Sequence, residues 1–315
     1  MKILINDGIE AIGRQLLEEA GFTVDTQKIE QAELINRLNE YDAICVRSAT
    51  KVRKELIDAS PNLKAIGRGG VGLDNIDVEY ARSKGIAVIN TPNASTRSVG
   101  ELVIAHMLNL SRNLYKSNRE MPLYGDTKFN DLKKAYAQGV ELEGKTLGII
   151  GFGHIGQETA SCALGMGMNV LAVDPYNSKA TINIGPAALE FKVDIHTIPL
   201  DDMLESADYI SLHTPSLDKP VLGNEEFSKM KDGVIIINCS RGGTLDEGAL
   251  LDALNSGKVA AAGLDVFMNE PSPNKVLLTH PHVSLSPHIG GSTTEAQNKI
   301  GEELAIKLIA TLKGQ

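Results

Sequence analysis

Short runs of valine and isoleucine recur along the chain, with amphipathic stretches between them. In the first hundred residues the runs are ILIN (3–6), FTVDT (22–26), AICVRS (43–48), LKAIG (63–67) and AVIN (87–90). The intervening segments carry apolar residues at helical spacing, as in IEAIGRQLLEEAG and VEYARSKG, the second closed by a glycine that stops a helix. A second series opens after residue 145: TLGIIG (146–151), NVLAVD (169–174), YISLHT (209–214), GVIIINCS (233–240), AAAGLDVF (260–267) and VSLSP (283–287). These runs are almost continuously apolar, as strands buried on both faces must be. Strand and helix in alternation predict an α/β protein of two doubly wound parallel-sheet domains.

Between the two series, residues 98–117 form the longest helical pattern, with Val99, Leu102, Val103 and His106 on one face. This helix is expected to link the halves. The polar segment 119–140 is expected to be an arm or loop, and TINIGPAALEFKV (181–193) carries no clear assignment. From Thr293 the pattern is helical again, and this last helix is expected to return to the first half. The expected domains are 1–97 with 287–315, and 98–286.

Composition narrows the function classes. The chain has 315 residues, 42% hydrophobic and 23% charged, the balance of a globular protein. A formal net charge of −9 without a basic block argues against binding a nucleic-acid backbone. The apolar start of MKILIND breaks at Asn6, too early for a signal peptide or a membrane span. The three cysteines, Cys45, Cys162 and Cys239, lie far apart, which argues against disulfides or zinc and for a reducing cytoplasm. The absence of Trp, with aromatics at 4%, argues against base stacking.

A glycine motif, GxGxxG, occurs twice after a strand: GRGGVG (67–72) and GFGHIG (151–156). Such a match alone is weak, so the residue ending the next strand decides between them. After GFGHIG the strand NVLAVD ends in Asp174, whereas AVIN after the first match ends in Asn90. A carboxylate at that point accepts hydrogen bonds from an adenosine ribose, while the helix N-terminus behind the glycines receives the pyrophosphate. Asp174 repels a 2′-phosphate, and Pro175-Tyr176-Asn177 offers no arginine to receive one. Gly151, Gly153, His154 and Gly156 are therefore expected to hold NAD rather than NADP. GRGGVG, through Gly70 and Val71, is expected to hold a substrate carboxylate on backbone N–H groups.

Three strands of the second series end in chemistry: NCSRGG with Arg241, LDVFMNEP with Glu270 and SPHIGG with His288. Each residue alone reads as a surface turn, a solvated loop or a strand cap. On successive strands of one nucleotide-binding sheet they read as a site, because ligands bind outside the carboxyl ends of such strands. The trio suits hydride transfer at a 2-hydroxy acid. An imidazole takes the hydroxyl proton, a carboxylate on its other nitrogen fixes its tautomer, and an arginine grips the substrate carboxylate. His280 and His282 beside His288 lack acidic companions, so no metal is expected.

GFGHIG…VLAVD, LHTP, INCSRGGTLDEGAL, GLDVF…EP and SPHIGGST, in this order, resemble the D-isomer-specific 2-hydroxyacid dehydrogenase family over essentially the whole chain. VRSATKV (46–52), GRGGVGLDNID (67–77) and NTPN (90–93) are most similar to its phosphoglycerate dehydrogenase branch. The resemblance implies a Rossmann-type NAD domain beside a flavodoxin-like substrate domain, with Arg241, Glu270 and His288 catalytic. It implies cofactor contacts at Ile155, Asp174, Thr214, Pro215, Cys239, Ser240, Asp265 and Gly290, and a homodimer formed through the NAD domains. The implied reaction is NAD-dependent oxidation of D-3-phosphoglycerate in serine biosynthesis.

A phosphorylated acid carries an extra charge close to −2 that needs its own donors. Arg47, Ser48 and Lys51, with Thr50 among them and Asn93 nearby, are expected to supply these in a cleft between the lobes. A glyoxylate or hydroxypyruvate reductase would not need Arg47 and Lys51. An NAD(H)-sensing co-repressor of the same fold is the alternative outside enzymes. Longer members of the branch carry C-terminal regulatory domains; the sequence here ends at Gln315, and a short form without them is expected. The segment 119–140 departs from the family by lacking its usual Trp.

Overall fold

The computed structural model describes residues 1–185 and 191–314. It divides into two compact units, Met1–Thr96 with Gly291–Gln315, and Arg97–Gly290. The sequence pattern sets the second junction at 286/287. The difference arises because His288, Ile289 and Gly290 all donate backbone N–H bonds to Asp265, at 2.7, 2.9 and 2.8 Å, and so stay with the second unit.

Among the described residues the first unit holds a five-stranded sheet. Its strands are β1 (Lys2–Ile5), β2 (Thr23–Asp25), β3 (Ala43–Val46), β4 (Ala65–Arg68) and β5 (Ala87–Asn90), all parallel in the order β2-β1-β3-β4-β5. This is the flavodoxin-like order, with its reversal between β1 and β3. Two-residue alternation sorts the side chains: Leu4, Ile44, Val46 and Ile66 enter one core, while Ile3, Ile5, Ala43 and Cys45 enter the other. Each large aliphatic side chain so buried contributes about 1.5–3 kcal/mol. The helix Thr294–Lys313, capped by the Thr293 hydroxyl, returns to this unit as expected and crosses the helix Ala11–Glu19. The crossing is close because Gly13 lies on the Gly301 backbone: a Cβ on Gly13 would sit 2.5 Å from the Gly301 carbonyl oxygen.

The second unit holds a six-stranded parallel sheet made of β6 (Thr146–Ile150), β7 (Asn169–Val173), β10 (Tyr209–Leu212), β11 (Val234–Asn238), β12 (Val259–Leu264) and β13 (Val283–Leu285). Its order is β13-β12-β11-β10-β6-β7, so the connections reverse direction between β6 and β10. One face packs Ile150, Ile210, Leu212 and Ile236 into one core, and the other packs Leu147, Ile149, Tyr209 and Ile237 into a second. Both faces are buried, which accounts for the continuous apolar runs.

Two segments differ from expectation. The unassigned stretch 181–193 falls within an antiparallel pair, β8 (Lys179–Ile184) and β9 (Phe191–His196), with residues 186–190 outside the described residues. Ala180, Ile182 and Ile184 alternate inward against the core, a period of two that the glycine and proline between the strands obscured. The segment 119–140 is helical in large part. The long helix ends at Ser111, Asn113 turns left-handed at φ 53°, and helices Leu114–Tyr124 and Phe129–Ala135 follow. Each of these helices buries a single side chain, Tyr115 in the first and Leu132 in the second, and the first carries Pro122 in its interior. Among the described residues, no helix is long and apolar enough to cross a membrane.

Candidate active site

The glycine loop of the second unit is built by close packing. β6 ends at Ile150, and Gly151 follows at φ 92°, where a Cβ would sit 2.7 Å from the His213 carbonyl oxygen. Gly153 stands at the N-terminus of the helix His154–Gly165 with open space around it, and a side chain on Gly156 would run into the Gly151 carbonyl. His154 is exposed, while Ile155 packs its side chain against the core. The loop thus presents helix N–H groups with no side chain over them, the arrangement that receives a pyrophosphate.

Asp174 follows β7 and is bonded to that loop. Its carboxylate accepts the N–H groups of Phe152 (2.7 Å), Tyr176 (2.8 Å) and Asn177 (2.9 Å). Burial works to raise its pKa, but the donors of Tyr176, Phe152 and Asn177 outweigh it and hold the carboxyl below its usual range. After β10, the buried Thr214 hydroxyl and His213 Nδ1 have no partner in the protein. Such orphaned polar atoms call for a ligand at this point. Pro215 beside them is exposed. Pyrophosphate donors, a ribose carboxylate and unfilled polar atoms together fit a dinucleotide at the reversal of the sheet.

Arg241 leaves β11 with its backbone held in place, since its carbonyl accepts Asn238 Nδ2 at 2.9 Å and the Thr244 hydroxyl at 2.6 Å. Ser240 turns its hydroxyl inward to Asn238 Oδ1 at 2.8 Å, and burial pushes the neighbouring Cys239 thiol well above its usual range. Gly242 lies so tightly on the Phe267 backbone that no side chain fits between them. Phe267 in turn donates its N–H to Glu270 Oε1 at 2.9 Å. Glu270 Oε2 meets His288 Nδ1 at 2.7 Å. The arginine turn, the carboxylate and the imidazole are therefore linked through packed backbone from β11 to β13.

A carboxylate only accepts, so the His288 Nδ1 proton points to Glu270 and Nε2 is the ring's acceptor in its neutral form. The His288 side chain is 48% exposed and its φ is 55°, left-handed for a non-glycine residue. Asp265, expected at the cofactor, is 1% exposed, and its carboxylate binds the backbone of this loop. Gly290 is pressed against it: a Cβ there would sit 3.1 Å from Asp265 Oδ2. Among the described residues no cluster of His, Cys, Asp and Glu could hold a metal ion.

In the first unit the VRSATK turn is shaped by two residues that the sequence reading passed over. Asp7 accepts the Arg47 N–H at 2.7 Å and the Thr50 hydroxyl at 2.6 Å, and Asn75 donates to the Arg47 carbonyl at 2.7 Å. Thr50 is 3% exposed with its proton on Asp7, so it is not among the anion donors. Arg47 is half-buried, and Ser48 and Lys51 are exposed. Gly70 has φ 138° and its carbonyl accepts the Thr91 N–H, Val71 accepts Asn90 Nδ2 at 2.7 Å, and Asn93 is exposed. The break after ILIN, at Asn6 and Asp7, was the available signal for Asp7; nothing local marks Asn75.

A Rossmann-type sheet with an NAD-fitting glycine loop and an imidazole–carboxylate pair defines a dehydrogenase of the hydroxy-acid class. Residues 104–290 match the family model for the D-isomer specific 2-hydroxyacid dehydrogenase, NAD binding domain. The chain is 42% identical to the hydroxypyruvate reductase of Thermotoga maritima, over 99% of its own length and 98% of the relative's. It is 40% identical to the D-3-phosphoglycerate dehydrogenase of Rattus norvegicus, but although all of it aligns, it spans only 57% of that relative. Among solved structures it superposes on a glyoxylate reductase from Paecilomyes thermophila with a TM-score of 0.85 at 32% identity, covering 100% of this chain and 96% of that one. The chain belongs to the D-isomer specific 2-hydroxyacid dehydrogenases, NAD-dependent oxidoreductases.

Proposed function

We propose that the chain interconverts D-3-phosphoglycerate and 3-phosphohydroxypyruvate, with His288 as acid/base, Glu270 as its orienting carboxylate and Arg241 as the grip on the substrate carboxylate and keto oxygen. The observation that carries the chemistry is the 2.7 Å bond between His288 Nδ1 and Glu270, which leaves Nε2 to take the hydroxyl proton. A bound nicotinamide would supply the hydride acceptor, or donor in the reverse direction, for the substrate's C2. As the hydroxyl proton reaches His288, the positive charge that develops faces the Glu270 carboxylate. Arg241 supplies a planar pair of donors suited to the carboxylate. Gly151, Gly153 and Gly156 with the helix N-terminus would hold the pyrophosphate, Asp174 the ribose, and Thr214 and Pro215 the neighbouring part of the cofactor.

The phosphate assignment rests on the Arg47–Lys51 turn, together with Gly70, Val71 and Asn93 for the rest of the acid. Asp7, Asn75 and Gln31 occupy backbone groups of that turn and leave the side chains of Arg47, Ser48 and Lys51 to an anion. Two cations against one Asp7 carboxylate leave the turn net positive. A second reading, hydroxypyruvate reduction, is favoured by the relative that matches at nearly full length on both sides. NADH consumption with 3-phosphohydroxypyruvate, hydroxypyruvate and glyoxylate separates the two. A kcat/KM at least about tenfold higher for the phosphorylated acid, about 1.4 kcal/mol of discrimination, is expected, and it should vanish in the Arg47→Ala/Lys51→Ala double variant. Equal rates on the unphosphorylated acids would move the enzyme to the reductase reading. No turnover on any acid would favour an NAD(H)-sensing binding protein. The proposed site of action is the cytoplasm, and the proposed assembly is a homodimer formed through the NAD-binding unit.

A further inference from the structure

His106 lies in the helix Thr96–Ser111 with only 4% of its surface exposed, and the chemistry above makes no use of it. Its Nδ1 is 3.0 Å from the Ser284 hydroxyl and its Nε2 is 3.0 Å from the Ser286 hydroxyl. Ser286 reaches Asp265 Oδ1 at 2.6 Å, and Asn109 Nδ2 reaches Ser284 at 2.7 Å. Asp265 receives the Ile289 and Gly290 N–H groups at the far end.

Counting protons gives this chain one direction. Ser286 has a single proton, and the carboxylate takes it, so the bond between Ser286 and His106 must be donated by Nε2–H. The neutral ring then accepts at Nδ1, which the Ser284 proton fills, and Ser284 accepts from Asn109 in turn. Each donor meets one acceptor from Asn109 to Asp265. A second proton on the ring would leave the Ser284 hydroxyl without its acceptor, and burial lowers the affinity of His106 for that proton. β12 leaves room for the ring at Gly263, where a Cβ would sit 2.8 Å from His106 Cβ. The chain ends on the backbone next to His288, whose left-handed φ persists only where its surroundings impose it.

We propose that His106 is a positioning residue: through Ser286 and Asp265 it holds the 288–290 backbone and so aims the His288 imidazole. This rests on the reading of His288 as the acid/base. The role predicts a loss in turnover rather than in cofactor affinity, and it predicts that a donor at the Nε2 position is what matters.

His106→Met keeps apolar bulk and removes both nitrogens, and His106→Gln returns an amide donor toward Ser286. His106→Met is expected to lower kcat about tenfold while KM for NADH stays within about twofold. His106→Gln should recover most of the loss. In ¹H–¹⁵N spectra of the whole chain, His106 should be the neutral Nε2–H tautomer, and the Gly290 amide should shift and exchange faster in His106→Met. Should His106→Met fail to fold, Ser286→Ala breaks the same chain with a smaller change of volume and should produce the same kinetic and spectral pattern. Wild-type kcat together with an unmoved Gly290 amide in a folded variant would overturn the proposal, as would a protonated or Nδ1–H His106. If the wild-type chain turns over no 2-keto acid, the acid/base reading of His288 fails instead, while the tautomer and the Gly290 amide still test the hydrogen-bond chain.

Discussion

A single proton decides the roles at His288. With Nδ1–H committed to Glu270 at 2.7 Å, the proposed mechanism leaves Nε2 for the substrate. Glu270→Gln keeps the shape but allows the amide N–H to donate to Nδ1, which would select the wrong tautomer. The same exchange at a Ser-His-Asp triad costs about 10⁴-fold, so kcat is expected to fall by at least about 100-fold here, with KM for NADH little changed. Steady-state kinetics of the variant would check this, and a kcat within a few-fold of wild type would remove Glu270 from its orienting role. Arg241, Glu270 and His288 stand out in the sequence because each follows a strand at a glycine or proline, and the structure pairs the last two. Asn238 and the Phe267 N–H lie only three positions from the residues they hold, but Asp265 reaches Ile289 and Gly290 from 24 and 25 positions away, a contact no local spacing records.

At the scale of elements, the helix Leu114–Tyr124 stands out for the apolar side chains it leaves in water. Leu123 is 65% exposed and Leu114 52%, and Phe129 on the next helix is 56% exposed. Apolar exposure of this kind favours association, which supports the proposed dimer. Sedimentation is expected to show about twice the 33.8 kDa chain mass, and Leu123→Glu should shift it toward the monomer. A wild-type monomer mass would discard the dimer. The polar composition of 119–140 predicts an arm or loop, whereas helices form there, and the alternation of the β8–β9 pair is interrupted in sequence by a glycine and a proline.

For the whole molecule, stability against acid follows from buried groups. Burial lowers the His213 imidazole to about 3 from 6.5, and burial lowers His106 as well. The unfolded chain therefore takes up these protons first as pH falls below 6.5, and folding stability declines from there toward pH 3. Below pH 4 carboxylates add to the loss. Asp25, bonded first by the Tyr41 hydroxyl, and Asp174 both have folded pKa values under their usual 3.8, so the stability they contribute is present above that value and lost as pH falls through the folded one. The slope from one such histidine is at most about 1.4 kcal/mol per pH unit. Urea melts between pH 7 and 4.5 should show the decline, and His213→Asn should flatten it. An unchanged slope would assign the decline to other groups.

The sequence by itself determined the two parallel sheets, the glycine loop after β6 and the strand-end side chains Arg241, Glu270 and His288, because strand periodicity, glycine turns and strand-end residues are all recorded within a few positions of one another. Only the tertiary structure decided which groups touch. Thr50 turned out to serve Asp7, Asp265 to hold a loop, and His106 to meet Ser284 and Ser286 some 178 and 180 positions away. Hydrogen bonds of that separation exist only once the sheets have stacked their strands side by side, so no reading of neighbouring residues contains them.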